Sequence, residues 1–196
     1  MSEWRLFDGP VPYVSTAAFH LERERAAHLE QEDHRPRLLL AAEFVTAAAA
    51  ELSGPVTFSD LGCGDGGLLS LVQDRFAEAR GYDFQPSNAA GWAERRVTGV
   101  QADVFGADQS RVRVGDVAAA TEVLEHLADP RAALRWIRQR AARLVCSSPR
   151  NETGASHDAV HAWAWDTAGY AALLAGCGWH VTRHETAGRF QVVLAQ

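Results

Sequence analysis

Acids spaced along a glycine turn and the two strand ends that follow it carry the first recognisable chemistry in this chain of 196 residues. Val56-Thr57-Phe58-Ser59-Asp60-Leu61-Gly62-Cys63-Gly64-Asp65-Gly66-Gly67 runs directly into the apolar stretch Leu68-Leu69-Ser70-Leu71-Val72. This reads as a buried strand, a tight turn and a helix start, a geometry that brings backbone N–H groups close to a bound cofactor. Gly62, Gly64 and Gly67 fit the G-x-G-x-x-G spacing, which nicotinamide, flavin and S-adenosylmethionine sites all share. The acids discriminate better. With Asp60 closing the strand and Asp65 in the loop, a diphosphate would face two carboxylates. Like charges ~4 Å apart repel by roughly 4 kcal/mol at an effective dielectric of ~20. A guest carrying a sulfonium and an ammonium suits such a loop. Asp83, in Gly81-Tyr82-Asp83-Phe84, ends the next strand, where a carboxylate accepts ribose hydroxyls. Asp103, in Val100-Gln101-Ala102-Asp103-Val104, is placed to meet an adenine edge.

Regular elements must hold these acids in place. Pro36 opens a helix with Leu38, Leu39, Leu40, Ala41, Phe44, Val45 and Ala48 in helical period, ending near Leu52. The pattern then predicts strand 56–61, helix 67–78, strand 79–84, helix 86–95, strand 97–102, strand 114–121, helix 130–142 and strand 143–148. Strands separated by helices imply parallel pairing with right-handed crossovers. Asp129 is the expected cap of the helix that Pro130 opens, and Asp166 begins a further helix ended by Gly176 and Gly178. Upstream, Trp4 to Val14 contains Gly9, Pro10 and Pro12 and reads as an irregular arm. Ser15 or Thr16 is expected to cap a helix through Phe19, Leu21, Arg25 and Leu29, rich in charge and carrying His20, His28 and His34.

Taken together, Asp60 to Gly67, then Asp83, then Asp103 resemble the cofactor signature of class I S-adenosylmethionine-dependent methyltransferases. The resemblance implies an α/β fold, a Rossmann-like doubly wound seven-stranded sheet, mostly parallel with an antiparallel C-terminal hairpin. The hairpin falls on 179–186 and 189–195, joined through Ala187-Gly188. It implies cofactor contacts from Asp60, Gly62, Cys63, Gly64, Asp83, Phe84, Asp103, Val104, Thr121 and Glu122. It also divides the chain into an N-terminal arm or lid, 1–35, and a binding domain, 36–196. Arg35 and Arg37 lie where such enzymes often place a basic group on the cofactor carboxylate, a solvated arginine being the alternative.

The segment Glu122-Val123-Leu124-Glu125-His126-Leu127-Ala128-Asp129-Pro130 resembles one found in methyltransferases of ubiquinone biosynthesis. It is also similar to a segment with which the small-RNA 3′-terminal 2′-O-methyltransferases hold a divalent metal. The first loop and the overall length add a likeness to the MetW-type group. In the first two families a histidine followed by an aromatic precedes the last helix, and His161-Ala162-Trp163 matches best here. The resemblance therefore implies that His126, His157 and His161 converge above the transferred methyl. Trp163 and Trp165, in the same loop as His157 and His161, read either as core packing or as walls for a flat or aromatic substrate. A neutral histidine takes the proton of an attacking hydroxyl or amine. Catalysis is expected from His126 and His161, with Glu125 orienting an imidazole. Alternatively Glu122, Glu125, His126 and His161 hold Mg²⁺ or Mn²⁺, or these groups are ordinary polar loop residues.

Composition narrows the choice of partners. The net charge of −6 offers no general attraction to nucleic acid or anionic membranes, which favours a small-molecule acceptor. Cys63, Cys146 and Cys177 lack metal-site spacing and read as free thiols in a reducing cytoplasm. Neither a leader nor a membrane span is indicated, and nothing in the sequence speaks to oligomeric state. The expected activity is methylation of an oxygen or nitrogen of a small-molecule metabolite, natural products included. The alternatives are metal-dependent methylation of an RNA 3′ end, or a non-catalytic S-adenosylmethionine-binding subunit.

Overall fold

The computed structural model describes residues 2–6 and 17–196. In chain order its elements are β1 (Glu3–Arg5), α1 (Ala17–Leu21), α2 (Arg35–Ala50), β2 (Thr57–Leu61), α3 (Gly67–Val72), β3 (Glu78–Asp83), α4 (Ala89–Arg95) and β4 (Gly99–Gln101). There follow β5 (Val117–Thr121), α5 (Pro130–Arg138), β6 (Arg143–Pro149), β7 (Trp163–Trp165), α6 (Thr167–Gly176), β8 (Val181–Ala187) and β9 (Phe190–Ala195). Seven strands form one sheet in the order β4-β3-β2-β5-β6-β9-β8. Pairings from β4 through β6 are parallel, and β9 runs antiparallel to both β6 and β8. The doubly wound sheet with its C-terminal hairpin is the fold that the sequence implied.

The chain winds outward from β2 to β3 and β4, then returns to add β5 on the other side of β2. The divergence of loops at this reversal opens a crevice at the carboxyl ends of β2 and β5, where ligands of open α/β sheets bind. Alternation along β5 sends Val117 and Ala119 into one core layer and Ala118 and Ala120 into the other. The first layer packs Phe44 and Val45 of α2 and Leu68 and Leu69 of α3; the second packs Leu134 and Ile137 of α5 with Leu173 and Leu174 of α6. Among the described residues, no helix is long and apolar enough to cross a membrane.

Several expectations need correction. The helix expected at 67–78 stops at Val72, followed by a 3-10 turn, Gln73–Arg75, and the one at 130–142 stops at Arg138. The helix through Leu29 is confined to Ala17–Leu21, and its expected cap at Ser15 or Thr16 lies outside the described residues. Beyond it the backbone is tied to other elements: the carbonyls of Arg23 and Glu24 accept bonds from the Gln85 amide, and Arg23 also accepts from Ser87 Oγ. Those acceptors have no need of helical partners. Trp4 and Arg5 are strand, because β1 pairs antiparallel with β7 (Glu3↔Trp165, Arg5↔Trp163). Glu3 also accepts the Trp165 indole N–H at 2.9 Å and pairs with Arg131 at 2.8 Å. The rest of the expected arm, residues 7–14, lies outside the described residues.

The helix caps are where expected. Asp129 accepts from the Ala132 N–H at 2.9 Å and Asp166 from the Gly169 N–H at 2.6 Å. Asp166→Ala is expected to cost about 1 kcal/mol. Urea denaturation reads this as a lower midpoint with unchanged slope.

Candidate active site

Gly62 leaves β2 at φ +83°, and a Cβ built there would stand 2.5 Å from Val123 Cγ2, so both backbone conformation and close approach demand glycine. The turn is strapped to the end of β3. Tyr82 O accepts the N–H groups of Gly62 (2.8 Å) and Cys63 (3.0 Å), Asp83 Oδ2 accepts Gly64 N–H at 2.9 Å, and Cys63 O accepts Gly66 N–H at 3.0 Å. Trp92 donates its indole N–H to Gly64 O at 2.8 Å. Four of the loop's N–H groups, those of Gly62, Cys63, Gly64 and Gly66, are thus committed internally rather than offered to an anion. A phosphate-bearing ligand has little to hold here.

Above this turn opens a cavity of about 470 Å³. Of the residues implied to contact the cofactor, Asp60, Gly62, Cys63, Gly64, Asp83, Phe84, Asp103, Val104, Thr121 and Glu122 all line it. His126, Arg37 and His28 line it too. Asp103 and Val104 stand at the end of β4, Asp83 and Phe84 at the end of β3, and Glu122 and His126 beyond β5. Asp83 is further braced through Oδ1 by Gln85 N–H (2.8 Å) and the Asn88 amide (3.1 Å). Glu122 has an unusual backbone φ of +57° and accepts a bond from Ser147 Oγ at 2.8 Å.

The electrostatics favour a cationic guest. Burial, reinforced by Asp83, pushes the Asp60 carboxyl up to about 7. Burial likewise raises Asp83 and Glu122 above the ordinary carboxylate range. Arg37 is not solvated: it is 1% exposed, stacks over Phe190 at 5.1 Å, and leaves its Nε without a hydrogen-bond partner among the described residues. Arg35, by contrast, is exposed. Asp65, expected to act on the ligand by repulsion, is neutralised by Arg25 (3.2 Å) and Arg95 (2.8 Å). Arg25 and Glu30 belong to the N-terminal segment, so these ion pairs, with Arg25–Glu94 and Arg95–Glu30, pin that segment beside the cavity.

The implied catalytic groups are only partly brought together. His126 and His161 meet edge-on with ring centroids 4.8 Å apart. His126 Nδ1 is 3.1 Å from Val160 O; a carbonyl only accepts, so that nitrogen carries the proton. Glu125 is fully buried, both its carboxyl oxygens lack partners among the described residues, and burial near Glu122 raises it well above normal. Glu125, His126 and His161 offer possible ligand atoms within 4.8 Å of one another, but Glu122 is not in this group. His157 does not converge: it is exposed, with Nδ1 against Thr153 O, and lines a separate cleft. Trp163 and Trp165 do not line the cavity either. Their rings stack at 6.2 Å, and Trp163 donates to Leu127 O beneath the His126 turn. Glu152, 2.6 Å from His161 Nδ1, was missed, since only the folded loop reveals the pairing.

The sheet order, the strapped turn and the acid-lined crevice define a Rossmann-like methyltransferase of class I. The family model described as a methyltransferase domain matches residues 31–191, and the chain belongs to that family. No curated protein sequence matches significantly. Among solved structures, the chain is similar to magnesium protoporphyrin IX methyltransferase (ChlM) from Synechocystis PCC 6803 with bound S-adenosylmethionine. That likeness has 15% identity over 93% of this chain and 92% of the other, with a TM-score of 0.66. The N-methyltransferase NodS from Bradyrhizobium japonicum WM9, in complex with S-adenosylhomocysteine, gives 16% identity over 91% and 94%, with a TM-score of 0.68. The 4+2 cyclase SpnF gives 15% identity over 90% and 89%, with a TM-score of 0.65. At these identities the likeness shows the fold.

Asp60 gives this reading of the cavity a thermodynamic signature. Its native-state value of about 7 exceeds the ordinary 3.8, so between those values the native state binds more protons than the unfolded chain. In ligand-free protein the Asp60 contribution to stability is therefore full below the lower value and lost as pH rises through the higher one. Asp60→Asn is expected to match wild type near ~pH 4 and to exceed it by up to about 4 kcal/mol near ~pH 8, read by urea denaturation at both.

Proposed function

We propose that the chain binds S-adenosylmethionine along the crevice and methylates an oxygen or nitrogen of a small-molecule acceptor. The observation that carries this is the continuity of one cavity from Asp103 and Asp83 to Glu122 and His126, with buried acids short of counter-charge between. Bound S-adenosylmethionine would supply a methyl group on a positively charged sulfur that is already a good leaving group. Asp83 accepts ribose hydroxyls, Asp103 and Val104 meet the adenine, and Asp60 and Glu122 offset the cationic end. The orphaned Nε of Arg37 fits the cofactor carboxylate. His126 faces the acceptor and takes its proton, with His161 beside it. Most of the rate then comes from holding the acceptor in line and excluding water. Relatives that act on small molecules support the acceptor class, and three buried unpaired thiols suit a reducing cytoplasm.

The N-terminal segment serves as a lid in this reading. His28 and His34 stack at 4.4 Å beside Arg37, and desolvation, helped by that guanidinium, lowers both to about 4. Their values lie below the ordinary 6.5, so the stability tied to neutral imidazoles is present above the unfolded value and lost as pH falls through the folded one. Hydrogen exchange corrected for intrinsic rates should show residues 22–34 opening more readily near ~pH 5 than near ~pH 7.5. His28→Phe, which keeps the stacking and removes one titration, should shrink that difference.

A second reading follows from Glu125, whose buried, unpartnered carboxyl lies by two imidazoles: a divalent cation held by Glu125, His126 and His161 would position vicinal acceptor oxygens. Calorimetry separates the readings. S-adenosylmethionine and S-adenosylhomocysteine should both bind metal-free wild type, and Asp83→Asn should weaken both by about 10- to 100-fold, the worth of a hydrogen bond to a charged group. No binding to wild type sinks the methyltransferase reading. A Mn²⁺ binding heat lost in Glu125→Gln would move the metal reading forward.

A further inference from the structure

Beside the cavity lies a second cleft of about 410 Å³, lined in part by Glu152, His157, Asp158 and Arg189. Glu152 lines this cleft and grips the histidine that packs against His126. Its Oε2 is 2.6 Å from His161 Nδ1, and its Oε1 accepts the Asp158 N–H at 2.8 Å. Both partners are largely enclosed, with side-chain exposures of 9% for His161 and 12% for Glu152. An ionised carboxylate only accepts hydrogen bonds, so the contact requires the proton on Nδ1 of His161. The ring's other nitrogen, Nε2, is then the basic one.

The geometry points to Glu152 as a positioning residue: it clamps His161 in the Nδ1–H form, and that ring, edge-on to His126 at 4.8 Å, holds the base in place. This rests on the methyltransferase reading and deepens it, because His126, with Nδ1 against Val160 O, is held in the same tautomer by a different acceptor. The acceptor class follows. A carboxylate or thiolate needs no base, whereas a neutral hydroxyl must shed a proton as it attacks. In that step the oxygen's electron pair forms the bond to the methyl carbon and the carbon–sulfur pair departs with sulfur. The hydroxyl proton goes to Nε2 of His126, the ring that lines the cavity, and Nδ1 of the resulting imidazolium stays against Val160 O.

Tautomers are directly readable. Long-range ¹H–¹⁵N spectra of histidine-labelled protein, assigned with His161→Gln, should show His161 as Nδ1–H in wild type with that proton shifted downfield. Glu152→Gln, whose amide oxygen still accepts, should keep the tautomer but move the proton upfield. Glu152→Ala should release the ring to the Nε2–H form or a mixture. An Nε2–H form in wild type, no upfield movement in Glu152→Gln, or an unchanged tautomer in folded Glu152→Ala would overturn the assignment. S-adenosylhomocysteine calorimetry on the same samples should give equal affinities, since Glu152 does not line the cofactor cavity. Failure of wild type to bind would sink the cofactor reading while leaving the tautomer readable.

Discussion

Everything around the crevice depends on a shortage of positive charge. Asp60, Asp83 and Glu122 are gathered at the ends of adjacent strands, and Arg37 is the buried cation among them. Burying ionised carboxylates without partners costs several kcal/mol, so such groups hold protons or wait for a cation. A sulfonium and an ammonium answer that need; a diphosphate aggravates it. The glycine turn points the same way, since the N–H groups of Gly62, Cys63, Gly64 and Gly66 are given to Tyr82, Asp83 and Cys63.

The same constraint explains why the N-terminal segment lies where it does. Asp65 would add another unpaired acid to the loop, and the fold removes it by pairing it with Arg25 and Arg95. That pairing draws residues 22–34 against the cavity and stacks His28 on His34 beside the buried Arg37. The placement of this segment and the charge balance of the loop are therefore one arrangement. The segment abandons helix because its backbone acceptors are met by Gln85 and Ser87, and because it has too thin an apolar face to repay regular structure.

Beyond β5, the fold separates groups that the sequence presents as one cluster. Glu122 turns toward Ser147, while Glu125, four residues before Asp129, is driven under the turn into the core. His126 lines the cavity and packs edge-on against His161, each with Nδ1 already engaged, and His157 lines a different cleft. A cyclase, SpnF, shares this fold, so the scaffold alone does not dictate the reaction.

Local order determined the legible part. The strand, glycine turn and helix at Asp60–Gly67, the acids at Asp83 and Asp103, and the caps at Asp129 and Asp166 are encoded by neighbours a few residues apart, so the pattern exposes them. The alternation of strands and helices likewise dictated parallel pairing and placed the site at the strand ends. Only tertiary structure decided the rest: β1 on β7, Arg37 as a buried cation, Asp65 as an anchor, and Glu152 on His161. Pairings such as β1 with β7 and Arg25 with Asp65 span long stretches of chain, and even Glu152 meets His161 only through an irregular loop. Burial and partner choice there depend on how distant segments pack, and no sequence periodicity records that.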